Sequence, residues 1–263
     1  MRNVTLSASI ILCVAGTSLQ AATVTQRDAQ ALALAGLALQ ALNGASLSDA
    51  TLQGTANFTA GSDEDSGTFT VELKGNQESK AVLNLSGGTR QEVRNAQSGG
   101  PQGVWIGADG QKHTMALHNC WTDASMLATA FTLQDVVSDL QTAASYLGQA
   151  TWNGITVDHL QFSHIVPGQS QQMTAEIQAL SAIALYLDAT SHLPVALDFN
   201  IHPDNDLSLN IPVEIQFSNY QQVKGVSMPT HIQKLIQGTL TLDLTITRVT
   251  TNSGLLDSEF STR

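Results

Sequence analysis

The sequence predicts an α+β protein in which a large antiparallel sheet keeps one face apolar and a few helices lie against it. Alternation is the first observation. In the last strand-like run Leu240, Leu242, Leu244 and Ile246 project to one side, and Thr239, Thr241, Asp243, Thr245 and Thr247 to the other. That period of two marks a strand wetted on one face. The runs Val195, Leu197, Phe199, Ile201 and Ile211, Val213, Ile215, Phe217 repeat it, the latter with Glu214 and Gln216 opposite. Composition is the second. Only 13% of the 263 residues are charged, so Thr, Ser, Asn and Gln carry the polar surface, and these suit solvent-facing strand positions. A one-faced sheet needs a cover, and the shape expected is a binding concavity.

Along the chain, residues 1–22 read as a secretory signal: Arg2, an apolar stretch over 4–16, then Ser18 to Ala22, with cleavage expected after Ala21 or Ala22. Leu12 stands where a lipoprotein signal wants a small residue before Cys13, so lipidation is not expected. Residues 23–263 then form a single domain outside the cytoplasm, in a bacterial periplasm or secreted. Only Cys120 remains there, so no internal disulfide can form. No later run reaches the roughly 18 apolar residues of a membrane span. The net charge of −11 excludes a phosphate footprint for nucleic acid and argues against attraction to an anionic membrane surface.

Residues 28–43, rich in Ala and Leu with no β-branched residue and followed by Gly44 as a C-cap, predict a helix. Leu32 and Leu39 share one face of it, and Leu34 and Leu37 lie nearly opposite. Short segments at 52–58, 68–73, 81–85, 91–95, 104–106 and 113–117, separated by turn-formers, predict a meander of five or six strands. Residues 121–142 carry helical spacing at Met126, Ala130, Leu133, Val137 and Leu140, and 132–135 resemble a capping box. Strands return at 144–151 and 155–162, joined across Asn153-Gly154, the strongest short hairpin signal. A bulge near Asp158-His159 is expected from a change of apolar phase. Residues 163–174 read as a loop.

The C-terminal part carries Leu187-Asp188, Leu193-Pro194, and then Phe217, Tyr220, Val223, Gly225, Pro229 and Ile232 at fixed offsets. This pattern, with the Asn153-Gly154 hairpin followed by Val157, resembles the LolA-like superfamily of periplasmic proteins, which includes the outer-membrane lipoprotein carrier and localisation factors. The resemblance spans most of the mature chain in order of elements. It implies an open, unclosed antiparallel β-barrel of about eleven strands whose hollow is lidded by helices and holds acyl chains. Gly225 is expected to supply a positive φ in a turn, and Pro229 to open a strand at an edge.

Acyl chains need only apolar lining: at roughly 0.8 kcal/mol per CH₂, a sixteen-carbon chain gains on the order of 10 kcal/mol before association costs. The candidate lining residues are Phe69, Val71, Leu73, Leu83, Leu85, Ile183, Leu185, Leu197, Phe199, Ile215, Phe217, Leu242 and Leu244. Each could equally be ordinary core, so the functional reading belongs to the whole face. The expected ligand is a lipid or an acylated, lipoprotein-like molecule carried across the periplasm. The alternative is an envelope sensor or protein-interaction module whose hollow is filled by side chains. A third reading takes His113, Met115, His118 and Cys120 as soft and imidazole ligands for copper. Strand alternation opposes it unless a turn follows Met115. No hydrolase elbow, zinc-protease motif, phosphate loop or dinucleotide fingerprint is present, so neither catalysis nor a cofactor is expected.

Overall fold

The computed structural model describes residues 27–75, 77–96, 100–122 and 127–263. The signal-like segment, Cys13 and Met126 lie outside them. Helix α1 spans Ala29–Leu42, and the first strands are β1 Asp49–Ala60, β2 Asp63–Lys74, β3 Glu78–Leu85, β4 Gly88–Asn95, β5 Gln102–Ile106 and β6 Lys112–Met115. Helices α2 Leu117–Cys120 and α3 Thr129–Ser138 come next, then β7 Thr142–Trp152, β8 Ile155–His164 and α4 Gln171–Leu180. The chain closes with β9 Ile183–Asp188, β10 Pro194–Ile201, β11 Ile211–Val223, β12 Val226–Ile236, β13 Thr239–Thr251 and a 3₁₀ turn at Asp257–Phe260.

All thirteen strands form one antiparallel sheet in the order β6-β5-β4-β3-β2-β1-β13-β12-β11-β10-β9-β8-β7. The chain walks outward from the β1–β13 seam to β6, passes through α2 and α3 to β7 at the other edge, and walks back. β6 and β7 never pair, so the barrel is unclosed. The count exceeds the eleven implied by the resemblance, and the short β5 and β6 both join the ladder at one edge. At the seam Gly54 sits at a register shift, and a Cβ there would lie 1.9 Å from the Thr245 carbonyl oxygen. Two-residue turns at Asn153-Gly154 and Lys224-Gly225, all four residues at positive φ, set the β7–β8 and β11–β12 registers.

Local chemistry explains where elements begin and end. Asp28 caps α1, its Oδ1 accepting from the Gln30 and Ala31 amides at 2.7 and 3.4 Å. Asn43, with φ 48°, takes the left-handed C-terminal position in place of Gly44. The Gly44 amide closes the last turn on the Leu39 carbonyl, and a Cβ at Gly44 would stand 2.8 Å from Ala130 on α3. α1 turns an alanine stripe inward: Ala31, Ala35 and Ala38 are fully buried with Leu42, whereas Leu37 is 41% exposed. Small side chains let this helix seat closely on its neighbours α3, β7, β8 and β12.

Four local expectations are corrected. α3 begins at Thr129, so Thr132 is interior to the helix rather than a cap. The β7–β8 bulge lies in β7 at Leu147, opposite β8, and Leu147 projects to solvent. Residues 171–174, read as the end of a loop, instead open α4, which Ser170 caps and in which Met173, Ile177 and Leu180 recur at helical spacing. Pro229 lies inside β12, not at its start, but at a level where only β11 pairs, so its missing N–H breaks no ladder bond.

The C-terminal tail crosses the outer face. Asp49 holds it: Oδ1 accepts from the Ser253 amide and hydroxyl, both at 2.7 Å, and Oδ2 from the Gly254 amide at 3.0 Å. Burial pushes the Asp49 carboxyl up, but these hydrogen bonds, with one from Ser48, outweigh it and hold the group below the usual carboxylate range. Phe260 and Leu255 then cover Val93 and Val104 in a small second core.

Candidate functional site

The sheet's concave side is divided. Over β7 to β12 it is filled by α1 and α3, whose buried faces merge with Leu160, Phe162, Leu185, Leu197, Phe199, Ile215 and Phe217 in one core. The two helices are tied at both ends of α1. Before it, Arg27 reaches the C-terminus of α3, its Nη2 donating to the Val136 carbonyl at 2.9 Å and its Nη1 to that of Thr142 at 2.8 Å. After it, the Gln134 amide of α3 donates to the carbonyls of Gly44 and Leu47 at 2.7 and 2.9 Å.

Beyond the helices, between β1–β5 and β12–β13, the concave face is left uncovered. There lies a hollow of about 680 Å³. Val71, Leu73, Ala81, Leu83, Leu242, Leu244, Ile232 and Ile236 give it apolar walls, Leu127 bounds it on the α3 side, and the exposed Gly61, Trp105, Gln237 and Thr239 stand at its rim.

Of the thirteen candidate lining residues, Val71, Leu73, Leu83, Leu242 and Leu244 face the hollow. Phe69 and Leu85 share their face but are packed away as core. Leu185, Leu197, Phe199, Ile215 and Phe217 are packed in the helix-filled half, and Ile183 borders only a void of about 30 Å³ beside Trp121 and His164. The hollow also recruits side chains outside the expected set: Phe58, Ala81, Trp105, Ile106 and, from β4, Arg90, Glu92 and Arg94. Strand register accounts for them, because Val71 opposes Ala81, Ala81 opposes Glu92, and Glu92 opposes Trp105 across three successive ladders. β4 inverts the usual alternation: its charged phase faces in, and Val93 faces out beneath Phe260.

Tyr220 has a structural partner, its hydroxyl donating to the Pro194 carbonyl at 2.8 Å while burial pushes its pKa up. Of the soft-ligand cluster, a turn does come after Met115, and the Met115 and Cys120 sulfurs both abut Gly103, 2.9 and 3.0 Å from where its Cβ would be. The two imidazoles have separate partners: His113 stacks on Trp105, and His118 meets the His202 carbonyl at 3.2 Å. Among the described residues no three His, Cys, Asp or Glu side chains converge to hold a metal ion.

One arrangement is invisible in the sequence, since its members lie on three strands. His231 lies between Ser218 Oγ, 3.1 Å from Nδ1, and Asp243 Oδ1, 2.9 Å from Nε2. The order is that of a hydrolytic triad, but none of the three borders the hollow. Gln233 also donates to Asp243, at 2.8 Å, which makes this a polar network on the sheet's outer face.

No protein-family model matches the sequence, and no curated protein is similar enough to match it. Solved structures do match. A Vibrio parahaemolyticus domain described as an outer membrane lipoprotein-sorting protein domain superposes with a TM-score of 0.52 at 11% identity, covering 88% of this chain and 96% of that one. A DUF1329 family protein from Desulfovibrio piger gives 0.49 at 12% identity over 88% and 97%. A LolA superfamily protein from Nitrosomonas europaea gives 0.46 at 13% identity over 85% and 97%. The first of these matches, set beside the unclosed sheet and its concave-face helices, identifies the fold of this chain as LolA-like.

Proposed function

We propose that this protein holds the acyl part of a lipid or acylated ligand in the hollow between β1–β5 and β12–β13, and carries it outside the cytoplasm without a catalytic step. One observation carries the reading: a 680 Å³ apolar-walled hollow stands open beside a half of the same sheet face that is packed beneath α1 and α3. Its size falls in the range of about 300–1,000 Å³ typical of small-molecule sites. The signal-like residues 1–22 support export, and no described helix is long and apolar enough to cross a membrane.

The test is titration of delipidated protein with a fluorescent fatty acid. Saturable one-to-one binding is expected, abolished by Ala81→Trp, which puts a large ring on the wall. Absence of saturable binding, or binding indifferent to that substitution, would overturn the reading.

A further inference from the structure

The wall of the hollow is not electrically neutral. Its described charged residues are Arg90, Arg94 and Lys234 against the single carboxylate of Glu92, in a chain whose net charge is −11. Arg94, 2% exposed, forms an ion pair with Glu92, so that carboxylate is already engaged. Arg90 is held differently. Its guanidinium carbon sits 4.5 Å from the centroid of the Phe58 ring, and its buried Nε has no hydrogen-bond partner among the described residues. A guanidinium stacked on an aromatic face keeps its in-plane donors for a ligand, and a buried donor without an acceptor is a standing cost that an anion would relieve. Inward-facing charges on β4, joined by Lys234 on β12, break the alternation of apolar-in and polar-out, and such departures concentrate at functional sites.

Resting on the acyl reading of the hollow, we propose that Arg90 recognises an anionic head group, a carboxylate or a phosphate monoester, on an amphiphile whose chain lies against Val71, Leu83, Leu242 and Leu244. The two levels of charge then do different things. The overall negative charge repels anionic membrane surfaces, while the cationic wall accepts a single anionic molecule. Planar, two-donor recognition suits both head groups.

The test is displacement of Nile red, a neutral dye, by dodecanoate, dodecyl phosphate and dodecan-1-ol, which share one chain length. At least one of the anions should displace the dye at about a tenfold lower concentration than the alcohol. Which anion shows the gap names the source of the head group. Arg90→Gln should bring the ratio of anion to alcohol close to one, and Arg90→Lys should keep part of it, with thermal midpoints confirming that both variants are folded. Equal displacement by all three in the unaltered protein, a gap that survives Arg90→Gln, or an equal loss for anions and alcohol in that variant would each overturn the assignment to Arg90. No displacement by any of the three would instead overturn the acyl reading itself.

Discussion

The two halves of the concave face are made alike and end differently. Both present alternating Leu, Ile, Val and Phe from antiparallel strands, yet the face of β7 to β12 is packed beneath α1 and α3, while that of β1 to β5 opens on a hollow of about 680 Å³. The difference lies in what covers each half. α1 brings an alanine stripe down onto the sheet and is tied to α3 through Arg27 and Gln134, so that side behaves as ordinary core. α1 and α3 pack mainly on β7, β8 and β12, and the wall formed by Val71, Ala81 and Leu83 borders the hollow. A strand pattern alone specifies an apolar face; whether that face becomes core or cavity depends on the reach of the helices.

The contrast can be broken most forcefully in the filled half. Phe131 on α3 is fully buried, so Phe131→Ala should cost about 3–5 kcal/mol in urea unfolding. Next, Ala35→Leu, which thickens the alanine stripe, should cost about 1–3 kcal/mol by overpacking.

Asp49→Asn, which loosens the tail that covers the outside of β4, should cost about 1–3 kcal/mol at neutral pH. Its folded pKa lies below the unfolded value, so the Asp49 contribution is full above the unfolded pKa and is lost as pH falls through the folded one. The gap between this variant and the unaltered protein should therefore shrink below about pH 4. The smallest effect is expected at the hollow: Leu242→Ala enlarges a space that already exists and should cost below about 1 kcal/mol while weakening ligand binding.

Much of this architecture is legible in the residues. The strands at 195–201, 211–217 and 240–247, the first helix and the Asn153-Gly154 hairpin emerge from periodicity and turn chemistry, because each is encoded by neighbours in sequence. The half-barrel rests on a sparse motif of which Tyr220 and Gly225 are structural members. α4 does carry a sequence signal, a Ser170 cap with Met173, Ile177 and Leu180 at helical spacing, but Pro167, Gly168 and the glutamines around its start give the segment the look of a loop. The site is legible only as a face. Alternation cannot distinguish Leu242, on the hollow, from Leu197, beneath the helices, since helix placement is a tertiary fact. The inward charges of β4 are hidden for the opposite reason: Arg90, Glu92 and Arg94 look like a solvated phase until Phe260, far away in sequence, is found covering Val93 on the other side.

The most direct measurement is native mass spectrometry of the protein purified from its native host without detergent, with extraction and identification of any released small molecule. A discrete added mass that resolves to an acyl-containing ligand, and that is lost in Ala81→Trp, is the predicted result. A clean ligand-free mass, together with no uptake of a fluorescent fatty acid, would contradict the account and leave the hollow without an acyl role.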